Sequence, residues 1–435
     1  MAGSGGAIGG QEALAARSRQ EWLRNSSLGL FLHWGMGTWP PYTDVRAWED
    51  RVTNDGWTPG YWLDKAEELH AGYLVFASFH SRLGYVRTWP SQIPGSPATR
   101  RDFLGELVSA ARSRGQKILL YMTDDPRWHD ENGVEFLDSA GYSAHKGRPV
   151  DLTTRDGFGE FASDNFVEVM RRYPDLAGFW IDKENGHWRR SGLYARIRAE
   201  RPEWILSSND QDSFPADATM DVVSAGVTAA APVPRLTESC FTVAGSWWHA
   251  GGDPAVDHGR VIARIVANAG SSTKSLLAFG ARHGGRFPQN QEAFTRFAAT
   301  YLDGIWESIG GTEGGGSPHG RAPHDGARPD LDGEGAAAVT TVRRDDPCRY
   351  YLHLLTRPSG DTVRVRDDGR RVLEVRDVRT REHLAFTQSG GHLTISGITT
   401  WDPYDTVFAL RTARALPHAV APGNTPHNSS EGTSS

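Results

Sequence analysis

The sequence predicts an α/β protein: a (β/α)8-type, TIM-like barrel followed by a small C-terminal antiparallel β-sandwich. Three observations carry that expectation. From Leu28 onward short apolar runs alternate with amphipathic segments; the alternation breaks at a Gly/Pro-rich stretch, 310–335; short runs rich in Val, Thr, Tyr and Leu then follow, separated by turn residues. Alternating strands and helices give a parallel sheet covered by helices, and about seven or eight such units favour closure into a barrel over an open sheet. No Gly-rich phosphate loop follows any run, which argues against a dinucleotide-binding domain.

Taken in order, residues 1–19 are Gly/Ala-rich and read as a flexible arm. The apolar runs 28–33, 73–80, 117–123, 177–182, 204–209, 220–224 and 273–280 are the expected barrel strands. Between them, 101–114 places Phe103, Leu104, Leu107, Val108 and Ala111 at helical spacing, with Gly115 positioned to stop the helix. Segments 158–173 and 257–269 behave similarly, and 291–309 is the last long helix. The barrel domain is thus assigned to 20–310. Residues 311–335 read as a linker or long loop, because such a Gly-rich stretch cannot offset its ordering entropy. The sandwich is assigned to 336–412, with strands near 350–355, 362–366, 372–378, 392–395 and 405–410, and 413–435 is expected to be a disordered tail.

Composition narrows the function. The 435 residues are 38% hydrophobic and 23% charged, as in a globular protein. A net charge of -6 offers no attraction to nucleic acid or an anionic membrane. Cys240 and Cys348 are the only cysteines, so neither a disulfide framework nor a multi-cysteine zinc site can be built. No run reaches transmembrane length, and residues 1–10 lack the basic and apolar regions of a signal peptide, so a cytoplasmic location is expected. No metal or other cofactor is expected. The first strand end has no His-x-His, and the cluster Asp124, Asp125, His129, Asp130, Glu131 lacks calcium-loop spacing and reads as a solvated loop. The 15 Trp suit a sugar site, where indole faces stack on sugar rings, but a Trp-rich core is the plainer reading. Oligomeric state is not legible.

In a barrel of this type chemistry sits at the C-terminal strand ends. Polar residues end run after run: His33 with Trp34, His80, Tyr121 with Asp124, Asp182, and Asn209 with Asp210. Each alone has an ordinary reading, as a helix cap or a core histidine. Several at one end point to a pocket. Asp182 closes Leu176-Ala-Gly-Phe-Trp-Ile-Asp182, where an apolar strand would hold a nucleophile or base rigidly. Glycoside chemistry needs a second carboxyl group. Glu238, in Leu236-Thr-Glu-Ser-Cys-Phe-Thr242, lies in a loop-like segment and by itself reads as a solvated glutamate.

These segments resemble glycoside hydrolase family 29, the retaining α-L-fucosidases. Leu28-Gly-Leu-Phe-Leu-His-Trp-Gly35 is similar to the family's GLFIHWG. Tyr73-Leu-Val-Phe-Ala-Ser-Phe-His80 with Trp89-Pro-Ser91 resembles YVVLTAKHHDGF and LWPS; Gly178-Phe-Trp-Ile-Asp182 stands where the family has its WFD strand. Arg101-Asp-Phe-Leu-Gly-Glu-Leu-Val with Gly115-Gln-Lys-Ile-Leu-Leu-Tyr-Met122 resembles RDVVGELV and GLKFGLYYS, Ser208-Asn-Asp210 matches VND, and Thr237-Glu-Ser-Cys-Phe-Thr-Val243 with Ser246-Trp247 resembles WExC-T…SW. The likeness spans residues 20–310, and a β-domain after the barrel is also the family layout.

The resemblance implies Asp182 as nucleophile, Glu238 as acid/base, and His33, His80 and Tyr121 as ligands of sugar hydroxyls. Trp48 lines the implied pocket, and the strand-end residues Trp34 and Asn209 complete it. The expected partner is a carbohydrate or glycosylated small molecule. The chain also departs from the family pattern: the His-His-Asp-Gly-Phe motif becomes His80-Ser-Arg-Leu-Gly-Tyr85, Asp-Gly becomes Asp182-Lys183, the arginine after Asn-Asp becomes Gln211, and the late GGNLLLNIGP strand becomes Ser272-Thr-Lys-Ser-Leu-Leu-Ala-Phe-Gly280. Two functions therefore stand open: a retaining exo-α-L-fucosidase-like hydrolase, and a repurposed or silent relative that binds a sugar or tailors a glycosylated small molecule without hydrolysing fucosides.

Overall fold

A computed structural model of the chain describes residues 5–124, 126, 131–209, 220–224, 236–316, 338–358, 360–367 and 369–413. Eight parallel strands close into a barrel in sequence order: β1 (Leu28–His33), β2 (Ala71–Ala77), β3 (Lys117–Thr123), β4 (Gly178–Asp182), β5 (Ile205–Ser208), β6 (Val222–Ser224), β7 (Thr237–Thr242) and β8 (Thr273–Gly280). The last closes on the first, with His33 opposite Gly280. The barrel is therefore as expected, with strands at all seven apolar runs.

The eighth strand was missed. The segment around Glu238, expected as a loop, is β7, paired to β8 along its length and to β6 at Thr237 and Glu238. It shows no apolar run because its inward polar side chains find partners across the barrel, so burial does not demand hydrophobic residues there.

Helices flank the strands: α1 (Gly5–Asn25), α2 (Val45–Asn54), α3 (Gly60–Glu68), α4 (Phe103–Ser113), α5 (Ser139–Lys146), α6 (Arg155–Arg172), α7 (Gly186–Arg190), α8 (Leu193–Glu200), α9 (His258–Gly270) and α10 (Gln289–Asp303). α4 shows why the sequence folds this way. The Asp102 carboxylate caps it by accepting from the Gly105 amide, and it buries Phe103, Leu104, Leu107, Val108 and Ala111, the expected stripe. Gly115 follows at φ 70°, a conformation glycine adopts without strain. The N-terminal segment differs from the expected arm. α1 is helical and ties itself to the barrel: Arg19 and Gln20 donate to Asp221, Leu23 packs under the strands, and the Arg24 carbonyl accepts from buried Lys274.

The C-terminal domain is a sandwich of a five-stranded and a three-stranded antiparallel sheet. Its strands are β9 (Thr312–Gly316), β10 (Ala338–Arg343), β11 (Arg349–Leu354), β12 (Val363–Arg366), β13 (Val372–Asp377), β14 (Ala385–Ser389), β15 (His392–Ser396) and β16 (Thr406–Thr412). β9 lies inside the stretch expected as linker; Gly314 and Gly315 suit it because its backbone passes against the Gly270 carbonyl, where a side chain at Gly314 would come within 2.3 Å. Residues 317–337 of that stretch and 414–435 of the expected tail lie outside the described residues. The domains meet through α9 and the 3-10 turn after α10: the Thr341 hydroxyl donates to the Ser308 carbonyl, and behind it fully buried His353 binds Asp405 at 2.7 Å.

Gly178, which opens β4, is held at φ 142° with the Ile205 carbonyl oxygen 1.9 Å from where a Cβ would stand. The obstacle is backbone of the neighbouring strand. Gly178→Ala is expected to lower stability by at least ~1 kcal/mol, seen as a lower denaturant midpoint with an unchanged slope.

Candidate functional site

Strand alternation decides which side chains enter the barrel. His33 ends β1 with its ring inward, 4% exposed, against Phe31 (ring centroids 4.3 Å apart), Trp247 (5.6 Å), His80 (6.3 Å) and Tyr121 (6.3 Å). His80 lies three residues past β2, where it caps a short 3-10 turn by accepting from the Arg82 amide, and its ring also meets Tyr121 and Trp248. Tyr121, Asp182 and Asn209 arrive on β3, on β4 and just after β5.

Asp182 sits at the centre of this group. One carboxylate oxygen accepts from the Tyr121 hydroxyl at 2.7 Å and the other from the Asn209 side-chain amide at 2.8 Å. The residue is 6% exposed, so its oxygens are oriented by two neutral donors and no cation bonds them in the described residues. Burial and the adjacent carboxylate push the Tyr121 phenol well above its ordinary value, so it remains a donor. Burial pushes the His33 imidazole down to about 3. That ring is neutral near pH 7, and its Nδ1 has no hydrogen-bond partner among the described residues. A neutral ring with an uncommitted nitrogen suits a ligand of a hydroxyl group.

The loop after β4 carries a local cost. Lys183 takes φ 63°, the left-handed conformation that favours glycine, at a position where the resembled motif has glycine. Glu184 beyond it pairs with Arg189 at 2.5 Å. Arg155 ties the same loop to β3, donating to the Glu184 carbonyl and pairing with Asp124 at 2.6 Å. Asp124 is therefore a buried ion-pair member, in contrast to the expected solvated loop; Asp125, His129 and Asp130 lie outside the described residues. Among the described residues no group of three or more His, Cys, Asp or Glu is arranged to hold a metal, and no helix is long and apolar enough to cross a membrane.

His33, His80, Tyr121, Asp182 and Asn209 are thus brought together, and three other expected site residues are not. Trp34 and Trp48 are fully buried on the outer side of the barrel wall. The Trp34 ring meets Trp48, Trp57, Trp62 and Phe103, and its indole N–H donates to the carbonyls of Arg282 and His283. Trp48 donates to His283 Nδ1. The reason is alternation: with His33 inward, the next residue faces the helices. Glu238 is the third. It is the second residue of β7, toward the barrel's N-terminal end, and is 1% exposed. Its oxygens accept from the Trp180 indole at 2.7 Å and from the Tyr73 hydroxyl. Burial pushes this carboxyl up to about 7 against the opposing pull of both donors.

The sequence reading did not assign Trp247 and Trp248 to the pocket. The Ser246-Trp247 motif and its place after a strand were the available signals. An outer groove of about 590 Å³ between α5, α6 and α8 is separate from this site. Three of its cations are matched by neighbouring acids, Lys146 by Glu160 and Asp164, Arg172 by Asp102 and Arg196 by Glu200.

A family model described as alpha-L-fucosidase matches residues 42–304 of the chain. The tissue alpha-L-fucosidase of Rattus norvegicus is 22% identical over 228 residues, covering 44% of this chain and 46% of that protein, so the match spans about half the relative's length. Among solved structures, alpha-L-fucosidase isoenzyme 1 from Paenibacillus thiaminolyticus superposes with a TM-score of 0.70 at 18% identity, over 92% of this chain and 100% of that one. A Bacteroides thetaiotaomicron alpha-L-fucosidase, trapped as a covalent intermediate with 2-fluoro-fucosyl fluoride, gives 0.68 at 18% identity over 91% and 96%. The Thermotoga maritima alpha-fucosidase in complex with fucose gives 0.63 at 17% identity over 89% and 96%. At these identities the structural likeness establishes the fold, barrel and C-terminal β-domain together.

Proposed function

The chain belongs to the alpha-L-fucosidase family of glycoside hydrolases, and on that premise we propose that it is a retaining exo-glycosidase that removes a terminal α-L-fucosyl or closely related residue. The observation that carries this reading is Asp182, oriented at the end of β4 by Asn209 and by Tyr121, whose ring in turn meets those of His33 and His80. Asp182 attacks the anomeric carbon, the glycosidic C–O bond breaks, and a glycosyl ester forms on the carboxylate. Water then attacks the same carbon, gives up a proton, and frees the sugar and the aspartate. The two donors on Asp182 keep its oxygens in one orientation through both steps, so little is lost to reorganisation. His33 and His80 bind sugar hydroxyls in this reading, and Trp247 offers an aromatic face to the sugar's C–H groups.

The departing oxygen also takes up a proton. Glu238, sealed inside the barrel, is poorly placed to supply it, and Glu184 is already engaged by Arg189. Aryl fucosides, which leave as phenolates and need little protonation, are therefore expected to turn over fastest.

The test is trapping with 2-fluoro-fucosyl fluoride. The fluorine at C2 slows hydrolysis of the glycosyl ester, so the adduct accumulates and peptide mapping by mass spectrometry should locate it on Asp182. Labelling at another carboxylate would overturn the nucleophile; no labelling together with retained fucose binding would favour the silent sugar binder.

A further inference from the structure

We propose that Glu238 is a positioning residue for Asp182: it fixes the Trp180 indole from inside the barrel, and the stacked Trp180–Tyr121 pair in turn holds the Tyr121 hydroxyl on the Asp182 carboxylate. The proposal rests on the nucleophile reading of Asp182 and departs from the acid/base role that the motif around Glu238 implies.

The path is continuous. Glu238 Oε1 accepts the Trp180 indole N–H at 2.7 Å, and Oε2 accepts the Tyr73 hydroxyl. The Trp180 and Tyr121 rings lie 5.6 Å apart at an interplanar angle of 18°, and the Tyr121 hydroxyl donates to Asp182 at 2.7 Å. Trp180, Tyr121, Tyr73 and Glu238 are each at most 1% exposed. Phe31 packs beside the pair, its ring centroid 4.7 Å from Trp180 and 6.1 Å from Tyr121. The space for this network is provided by Gly29, where a Cβ would stand 2.5 Å from the Tyr73 ring.

The chemistry of the parts fits holding better than proton transfer. An indole nitrogen is a donor only, and a phenol this deeply buried next to a carboxylate remains protonated, so both groups need an acceptor. A carboxylate supplies two. A general acid must come within hydrogen-bond reach of the leaving oxygen. Glu238 lies toward the opposite end of its strand from the mouth, with both oxygens committed and the Trp180 and Tyr121 rings on the path to Asp182.

The experiment compares Glu238→Gln and Glu238→Leu with the unmodified protein on an activated aryl fucoside and on an alkyl fucoside, together with the rate of Asp182 labelling by 2-fluoro-fucosyl fluoride. The glutamine keeps an oxygen for the indole, and its NH2 can donate to the Tyr73 hydroxyl. Glu238→Gln is therefore expected to restore turnover to within about threefold on both substrates. Glu238→Leu leaves two buried donors without an acceptor, and kcat should fall roughly five- to hundredfold. The fall should be equal on both substrates, exceed the change in KM, and be matched in the labelling rate. Thermal unfolding reports whether each variant is folded. The Trp180 indole N–H resonance, assigned by its loss in Trp180→Phe, reads the hold directly: it should move in Glu238→Leu and stay in Glu238→Gln. A glutamine variant that fails on the alkyl fucoside and spares the aryl fucoside would make Glu238 the acid and overturn the proposal. So would a folded Glu238→Leu protein with unchanged rates, or an unmoved indole signal. If the unmodified protein is not labelled at Asp182, the nucleophile reading falls, and the indole resonance still decides whether Glu238 holds Trp180.

Discussion

Asp182→Asn should reduce turnover of an aryl fucoside by about 10⁴–10⁶-fold, the range seen when a covalent nucleophile or its partner is removed from a hydrolase. The fold should survive. Asparagine is close in shape, and its amide can still meet both neighbours: its oxygen accepts from the Asn209 amide, and its NH2 donates to the Tyr121 hydroxyl, which turns to accept. What is lost is the electron pair that bonds the anomeric carbon. Asp182→Gly opens space where the carboxylate stood, and added azide should attack that carbon from the same face and release a glycosyl azide of inverted configuration. Enzyme assays with and without azide, and product analysis by NMR, check both expectations. An asparagine variant with near-normal rates would remove Asp182 from the chemistry.

Trp34→Ala should destabilise the protein by about 3–5 kcal/mol, the usual cost of truncating a fully buried large aromatic. The ring packs against Trp48, Trp57, Trp62 and Phe103, and its N–H satisfies the carbonyls of Arg282 and His283 after β8. Truncation opens a cavity and removes the indole donor from the His283 carbonyl, while the Arg282 carbonyl keeps the Gly285 amide. Chemical denaturation measures the loss. Below the unfolding transition the variant should bind fucose with little change, since the ring lies behind the barrel wall. A variant of normal stability with weakened sugar binding would return Trp34 to the pocket.

The barrel was largely legible because its strands are buried on both faces and so read as continuous apolar runs, each ending where polar residues begin. Asp182 was legible because it ends the apolar run Gly178-Phe-Trp-Ile at the same end of the barrel as the polar residues closing the other runs; alone it reads equally as a helix cap. α4 could be written down from its cap, its stripe and its terminating glycine, all local features. β7 could not. Thr237–Thr242 is polar because Glu238 is satisfied by Tyr73 and Trp180, 165 and 58 residues away in sequence, and no local pattern records partners at that distance. β9 was hidden in a Gly-rich stretch, and α1 in a Gly/Ala-rich one, because both draw on contacts with the barrel that composition does not report.

By itself, then, the sequence determined the fold class, the order of the barrel units, the β-domain after them and the strand ends that gather His33, His80, Tyr121, Asp182 and Asn209. Those are consequences of periodicity and chain order, which are local. Only the tertiary structure decided which side of the barrel wall each neighbour occupies. His33 faces the pocket and Trp34 the helices; Asp182 stands at the mouth, and Glu238, on another strand, lies deep inside. The physical reason is closure. A staggered ring of eight strands sets each inward residue at its own depth, and that depth depends on register with strands far away in sequence.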